Sequence, residues 1–146
     1  MDRPQKEVLL ATRLNPYISF TDNARQAMEF YKSVFGGKLT LSTFGEFGAP
    51  DGPGADNIMH GQLETDSGMT LMAADTPPGQ EHQPGNNFAV SLSGEDASEL
   101  REYWKKLSAG GQVSVPLEKQ MWGDEFGMCV DQFGIPWMVN IGAPRT

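Results

Sequence analysis

The chain carries one pattern of residues twice, and this duplication limits its possible folds more than any other feature. Each copy begins with an apolar strand pattern, continues into an amphipathic helix pattern and reaches a Gly-Gly pair, at residues 15–37 and again at 87–111. A second match follows, because residues 66–72 align with residues 132–138 when Gly68 is set on Gly134. Such self-similarity predicts tandem copies of one supersecondary unit.

Length and charge set further limits. A single copy would span about 70 residues and be marginally stable alone, so the two copies must pack together or onto a partner chain. The 146 residues have a formal net charge of -8, which argues against nucleic-acid or anionic-membrane partners because those need clustered Lys and Arg. No apolar run is long enough for a membrane span or a secretory signal. We therefore expect a cytoplasmic protein with a small-molecule or protein partner.

Hydrophobic periodicity predicts two helices and six strands beyond the two lead strands. The first helix is predicted to bury an apolar stripe at i, i+3, i+4 and i+7, with Asp22 or Asn23 as its N-cap. The second is predicted to begin at a weak capping box formed by Ser93 and Asp96. Its buried stripe is Ala97, Leu100, Trp104 and Leu107. The first stripe is Ala24, Ala27, Met28, Tyr31, Val34 and Phe35. The predicted strands are 38–46, 57–65, 69–75, 112–115, 124–131 and 135–141. Two Gly- and Pro-rich loops, 47–55 and 76–86, are long enough to cover a site.

Strand alternation separates a packed face from an open face. If Gly68 and Gly134 are the bulge residues of two type I hairpin turns, one face of the paired strands collects polar, aromatic and Met side chains. That face holds His60, Gln62, Met72 and Ala74 in the first copy and Phe126, Met128, Met138 and Asn140 in the second. The helix-facing set contains Leu63, Leu71, Ala73, Cys129, Trp137 and Val139, and on the lead strands Ile18, Phe20, Phe88, Val90 and Leu92. The open face suits a small-molecule pocket, or alternatively faces solvent or a dimer partner.

The duplicated units resemble the vicinal oxygen chelate superfamily of glyoxalases, extradiol dioxygenases, fosfomycin-resistance enzymes and bleomycin-binding proteins, and within it the PhnB-like branch. The segments that carry the resemblance are residues 15–20, 27–37, 58–61, 122–128 and 131–137. It implies an α+β fold in which two tandem βαβββ modules form a curved mixed sheet around a cavity, commonly in a homodimer. The corresponding boundaries are 12–75 and 87–142 within one domain of residues 1–146, with 76–86 as the connecting loop.

The resemblance also implies where a metal would bind. Metal-dependent members draw ligands from the start of each first strand and from the fourth residue after each hairpin Gly, which here are Asn15, Asn87, Met72 and Met138. Amide and thioether groups are a poor ligand set for a hard divalent cation. We therefore expect no metal and no cofactor. Metal binding through His60 and Glu64 is a weaker alternative, and His82 is interpreted as a solvated loop residue.

These observations lead to three functional hypotheses. The first is a metal-independent small-molecule-binding protein whose ligand contacts are Asn15, Tyr17, His60, Gln62, Met72, Asn87, Trp122, Phe126, Met138 and Asn140. The second is a metal-dependent lyase, isomerase or transferase that uses His60 with Glu64 or Glu125. The third is a dimeric interaction module with a vestigial cavity. The single cysteine, Cys129, falls on the helix-facing side and is predicted to be an inert core thiol.

Overall fold

The duplication is visible in the strand order. A computed structural model describes residues 11–48 and 52–143. The first unit contains β1 (Tyr17–Phe20), α1 (Ala24–Phe35), β2 (Lys38–Thr43), β3 (Ile58–Glu64) and β4 (Thr70–Asp75). The second contains β5 (Val90–Gly94), α2 (Ala97–Ser108), β6 (Gln112–Lys119), β7 (Glu125–Val130) and β8 (Pro136–Ile141). The sheets have the equivalent orders β1-β4-β3-β2 and β5-β8-β7-β6, so the predicted α+β fold with tandem modules is confirmed.

Both helices take the predicted phase. All six residues of the predicted α1 stripe are buried, and Leu100 and Leu107 of α2 are buried as well. Ala97 and Trp104 are only half-buried, so the prediction of a fully buried stripe was too strong for α2. The Trp104 ring lies over Gly127, where an added Cβ would stand 2.8 Å from Trp104 Cη2. The missing side chain at Gly127 therefore provides the space in which Trp104 packs.

The two helix N-termini are capped in different ways. In α2 the N-cap is Asp96, whose side chain accepts a hydrogen bond from the Glu99 N–H at 3.1 Å. The predicted capping box that begins at Ser93 is therefore wrong, because Ser93 still belongs to β5. In α1 the Asn23 side chain makes no capping bond. Asp75, at the end of β4, accepts from Ala24 N at 2.9 Å and from Ile58 N at 2.7 Å instead. One buried carboxylate thus accepts hydrogen bonds from a backbone N–H of the first turn of α1 and from the backbone N–H at the start of β3.

Both hairpin turns have the predicted geometry. Thr65 N donates to Met69 O at 2.9 Å, and Asp131 N donates to Ile135 O at 2.9 Å. Gly68 and Gly134 have φ values of 89° and 85°, a conformation that favours glycine over residues with a Cβ. The turns fix the register of β3 with β4 and of β7 with β8. As a result, the predicted division into helix-facing and open sides is confirmed for these four strands.

Two strand boundaries differ from the prediction. The strand predicted over 38–46 ends at Thr43, because the Glu46 carboxylate accepts from both the N–H and the hydroxyl of Thr43 and a 3₁₀ turn follows at Gly45–Phe47. The strand predicted over 112–115 continues to Lys119. It passes through Pro116, which has no N–H to donate, because β6 is an edge strand with register shifts on either side of Val115.

The lead strand of the second unit also starts later than its pattern suggests. Leu92 is buried and Val90 is half-buried, as the alternation predicts. Phe88 is 55% exposed, so its assignment to the helix-facing side was wrong. The reason is that β5 begins at Val90, and the strand alternation has no meaning for the irregular backbone before it.

A buried carboxylate links the two units. Asp131, 3% exposed, accepts at Oδ2 from the Tyr31 hydroxyl at 2.6 Å and from Trp137 Nε1 at 2.9 Å. Its Oδ1 accepts from the backbone N–H groups of Phe133 and Ile135. Burial, followed by the neighbouring Asp131 carboxylate, raises the pKa of Tyr31 well above its ordinary value. Because Tyr31 belongs to α1 and Asp131 to the turn before β8, this bond fixes one unit on the other.

Replacing Tyr31 by Phe should lower the free energy of unfolding by about 2 kcal/mol, because the buried carboxylate loses one of its donors while the ring packing is kept. Urea denaturation of both proteins at neutral pH provides the measurement. Tyr103→Phe is the matched control, since the Tyr103 hydroxyl donates to the partly exposed Glu99, and it should cost no more than about 0.5 kcal/mol. Equal losses in the two variants would contradict the role given to Asp131.

Candidate functional site

The open face of the first sheet carries four of the predicted ligand contacts. Tyr17 is the register partner of Met72 on β4, and Met72 is in turn the partner of Gln62 on β3. His60 lies two residues before Gln62 on the same side. All four side chains are half-buried or exposed, while Leu63, Leu71 and Ala73 on the opposite side are buried. The structure therefore brings Tyr17, His60, Gln62 and Met72 together.

A chain of hydrogen bonds orders the polar members of this group. The Tyr17 hydroxyl lies 3.2 Å from His60 Nδ1, and His60 Nε2 lies 3.4 Å from Gln62 Oε1. A carboxamide oxygen only accepts, so Nε2 of neutral His60 carries the proton and Nδ1 is the acceptor. Tyr17 is consequently the donor to His60. Its hydroxyl oxygen keeps lone pairs that can accept a hydrogen bond from another molecule.

The open face of the second sheet carries three more predicted contacts, and a fourth, Trp122, lies beside it in the segment between β6 and β7. Phe126 on β7 pairs in register with Asn140 on β8, and Met138 pairs with Met128. Trp122, which is 61% exposed, packs against Phe126 with ring centroids 6.4 Å apart. Asn140 Nδ2 donates to Asp124 Oδ2 at 3.0 Å. This cluster is aromatic and Met-rich, with the Asn140 carboxamide as its polar component.

The two remaining predicted contacts lie outside these groups. Asn15 is half-buried in the segment before β1, where it lines a cavity of about 480 Å³ between the units. Asn87 is exposed in the segment before β5. Of the ten predicted contacts, four thus lie on the first sheet and three on the second, with Trp122 beside them between β6 and β7, and the other two precede the lead strands.

A second cavity involves residues that the sequence interpretation missed. It has a volume of about 670 Å³ and lies between the open side of β1 and β4 and the segment that connects the units. Phe44, Met59, Thr76, His82 and Phe88 all contribute to its lining. The sequence signals for it were the length of the 76–86 loop, which was predicted to cover a site, and the predicted open-face residues Tyr17 and Ala74, which also line it.

His82 is not the solvated loop residue that was expected. It is half-buried, and its Nδ1 lies 3.2 Å from the Thr76 hydroxyl. That hydroxyl also donates to the Phe20 carbonyl at 2.9 Å, and the Thr76 N–H donates to the same oxygen. Thr76, at the start of the connecting segment, is therefore hydrogen-bonded to the end of β1. The contact with Thr76 in turn holds His82 in the lining of the cavity.

Four positions correspond to the metal ligands of the metal-dependent proteins that this sequence resembles, and their side chains do not fit a hard divalent cation. Met72 and Met138 offer thioether sulfur, and Asn15 and Asn87 offer neutral amide oxygen. Within residues 11–48 and 52–143, no group of three or more His, Cys, Asp and Glu side chains is placed to hold a metal ion. Of the alternative ligands, Glu64 is exposed, and Glu125 lies on the second sheet in an ion pair with Arg101.

Cys129 is shielded by the core. It is 1% exposed on the helix-facing side of β7, as predicted. Burial, with a smaller effect of the nearby Asp131 carboxylate, raises the pKa of the Cys129 thiol to about 11. Because the thiolate is the nucleophilic form, both the pKa and the burial keep this side chain unreactive.

Folded protein at pH 8 should not react with 5,5′-dithiobis(2-nitrobenzoic acid). At that pH a thiol with a pKa of about 11 is ionised in about one molecule in a thousand, and the reagent cannot reach it through the packed core. The reaction should become rapid and stoichiometric in about 8 M urea, which unfolds small domains. Fast reaction without denaturant would place Cys129 at an accessible site.

The fold, the duplicated units and the sequence together define the class of protein. The sequence profile of the Glyoxalase/Bleomycin resistance protein/Dioxygenase superfamily matches residues 13–139, and the chain belongs to this family. The predicted family is therefore confirmed.

Three similar proteins illustrate the relationship. The chain is 28% identical to protein YjdN of Escherichia coli over 140 residues, covering 88% of this chain and 94% of YjdN. The crystal structure of PA1353 from Pseudomonas aeruginosa matches with a TM-score of 0.78 at 33% identity, over 90% of this chain and 98% of that one. The PhnB protein from Bacillus cereus matches with a TM-score of 0.70 at 22% identity, over 90% and 100% of the two chains, and shares the fold.

The helices carry no sign of a membrane span. Neither α1 nor α2, the helices of the described part of the chain, is long and apolar enough to cross a bilayer.

Proposed function

We propose that this chain is a metal-independent small-molecule-binding protein of the glyoxalase/bleomycin-resistance superfamily. The observation that carries the proposal is the chemistry of the open sheet faces. Each face holds a methionine, Met72 or Met138, at a position where metal-dependent members of the superfamily carry a metal ligand. Aromatic and neutral polar side chains surround it. Such a surface holds an organic molecule by dispersion and hydrogen bonding and needs no catalytic group.

The donor chemistry supports metal independence. A thioether is a soft ligand and a carboxamide oxygen is uncharged, so together they supply none of the negative charge that normally holds a hard divalent ion. Methionine instead adapts its shape to irregular apolar partners and makes favourable contacts with aromatic rings. Replacing carboxylate by thioether at Met72 and Met138 thus exchanges ion binding for apolar contact.

Polar and aromatic side chains beside the two methionines would orient a bound molecule. On the first sheet the Tyr17–His60–Gln62 hydrogen bonds hold polar atoms beside Met72. On the second sheet Trp122 and Phe126 provide aromatic surface beside Asn140. A pocket that combines apolar area with a few oriented polar atoms is the usual form of a small-molecule site.

The enzyme alternative has less support. It requires His60 together with Glu64 or Glu125, but Gln62 hydrogen-bonds to both His60 and Glu64 and so lies between them. Glu125 is on the other sheet and is paired with Arg101. A metal in this place would have to break one of these interactions.

We also propose that the protein functions as a homodimer. Leu14, Tyr17 and Phe88 are large apolar or aromatic residues with exposures of 100%, 52% and 55%. All three line one shallow groove along the lead strands. Contiguous exposed apolar surface of this kind favours association with a second copy.

Metal analysis tests the central part of the proposal. Protein purified without chelator should contain no stoichiometric Zn, Ni, Mn or Fe. Adding these ions at tens of micromolar should leave the melting temperature unchanged, whereas a site with micromolar affinity would add roughly 2 kcal/mol of stability. One equivalent of metal that is lost in His60→Ala and retained in the control His82→Ala would instead establish the enzyme alternative.

Binding itself is tested with three aromatic probes of different charge. Neutral N-phenyl-1-naphthylamine, anionic 8-anilinonaphthalene-1-sulfonate and cationic 9-aminoacridine each report binding by fluorescence and by a change in melting temperature. Saturable binding of at least one probe by folded protein supports the proposal. If none of the three binds, the small-molecule function is wrong.

Light scattering coupled to size-exclusion chromatography should give the mass of a dimer at micromolar concentration. Leu14→Glu combined with Phe88→Glu should shift the protein to a monomer, because two charges would be buried at the interface without partners. Val113→Glu, at an apolar side chain that is 48% exposed on the edge strand β6, is the control and should leave the mass unchanged. A monomeric wild-type protein would refute the dimer.

A further inference from the structure

We propose that the 670 Å³ cavity beneath the connecting segment is the ligand site, and that it takes a flat aromatic molecule that bears N–H or O–H donors and is neutral or positively charged. This inference rests on the proposed small-molecule function and adds to it the place of binding and the class of ligand. It concerns residues of the connecting segment, chiefly Thr76 and His82, that no sequence motif singles out.

Both units contribute to this cavity. Tyr17 and Ser19 of β1 and Ala74 of β4 belong to its lining and lie on the open side of the first sheet. Residues within 76–85 form a large part of the remaining lining, and residues 134–136, at the hairpin turn of the second unit, contribute to it as well. A volume of about 670 Å³ falls within the range of sites for small organic molecules.

The hydrogen bonds of His82 determine which ring nitrogen is free. The Thr76 hydroxyl has one proton, and it donates that proton to the Phe20 carbonyl. The same hydroxyl must therefore accept from His82, so Nδ1 carries the imidazole proton of neutral His82. Nε2 is left with its lone pair and acts as a hydrogen-bond acceptor.

Tyr17 presents an acceptor for a similar reason. Its hydroxyl proton is donated to His60 Nδ1, which leaves the oxygen lone pairs for another partner. Two of the oriented polar groups in the lining, Tyr17 and His82, are consequently acceptors. A ligand that matches them must carry donors, such as an aromatic amine, an amide N–H or a phenol.

The charge of the lining excludes anions. Among the described residues that line the cavity, none is Lys or Arg. The Asp75 carboxylate is 3% exposed and already accepts from two backbone N–H groups, and Glu81 adds a further negative charge. An anionic ligand would lose its hydration without gaining a cationic partner, which is unfavourable.

The apolar part of the lining favours an aromatic ring. Phe44, Met59 and Phe88 supply two aromatic faces and one thioether side chain. A bound ring would remove part of this apolar lining from water. The same faces attract a positive charge through cation–π contact, which extends the class to protonated aromatic amines.

The three probes introduced above test the ligand class. N-phenyl-1-naphthylamine and 8-anilinonaphthalene-1-sulfonate share one ring system and differ by the sulfonate. The neutral probe and 9-aminoacridine should bind, and the sulfonate should bind at least about ten-fold more weakly. Equal or tighter binding of the sulfonate would overturn the assigned ligand class.

Variants test the location. Ala74→Phe fills the cavity from β4 and should abolish binding of N-phenyl-1-naphthylamine. Thr70→Phe, on the same side of the same strand four residues earlier, should leave binding unchanged and shows whether a Phe on this face is tolerated. Loss of binding in Phe126→Ala together with retention in Ala74→Phe would place the ligand on the second sheet, which overturns this inference and leaves the proposed function intact.

His82 is tested separately, so that the outcome does not depend on folding of Ala74→Phe. His82→Ala should weaken the binding of N-phenyl-1-naphthylamine roughly five-fold, about the value of one hydrogen bond. It should not change the binding of the N-methyl analogue, which has no N–H. Asn86→Ala in the same segment is the control. Equal effects of His82→Ala on both probes, or no effect on either, would overturn the role of Nε2 as acceptor.

Discussion

The buried Asp131 carboxylate is the interaction on which the arrangement of the two units depends. Two of its donors are backbone N–H groups of its own hairpin turn, which hold the carboxylate in place, and the other two are Tyr31 and Trp137. Tyr31 comes from the other unit, and its ring also packs against Trp137 at a centroid distance of 5.6 Å. A buried charge is unfavourable without such partners. The requirement to satisfy it therefore fixes α1 against the start of β8, and with it the position of β1 relative to the second sheet.

Much of the fold could be predicted because its determinants are local. The α1 stripe and the glycines of the two hairpin turns lie within single segments, and their periodicity and conformation follow from neighbouring residues. The contacts that were missed join distant parts of the chain. Asp75 caps a helix 51 residues away, and Asp131 binds Tyr31 across 100 residues. Alternation failed at Phe88 because the backbone before β5 is irregular. The partial burial of His82 in the connecting segment could not be predicted either, because a loop side chain has no periodic direction.

In the candidate site, too, features set by neighbouring residues could be predicted, and features set by contacts between distant residues could not. Strand alternation correctly separated Met72, Gln62 and His60 from the core, since each lies on a regular strand with a hairpin of known register. It could not show how the open-face residues of the two copies lie relative to each other, or that the connecting segment lies over the end of β1. Those features follow from the packing between units and from the two bonds of Thr76 to the Phe20 carbonyl. The duplicated scaffold thus keeps its two methionines on open faces, while the segment between the copies forms the wall of the larger cavity.

A crystal structure of the protein grown with N-phenyl-1-naphthylamine tests the central claim, that this family member holds an aromatic molecule without a metal. The account predicts density for the probe between Tyr17, Ala74 and His82, with its N–H within hydrogen-bond distance of His82 Nε2 or the Tyr17 hydroxyl. It also predicts no metal ion beside Met72 or Met138. Density for the probe on the Trp122–Phe126 surface would contradict the location, and an ion coordinated by His60 would contradict the metal-independent function.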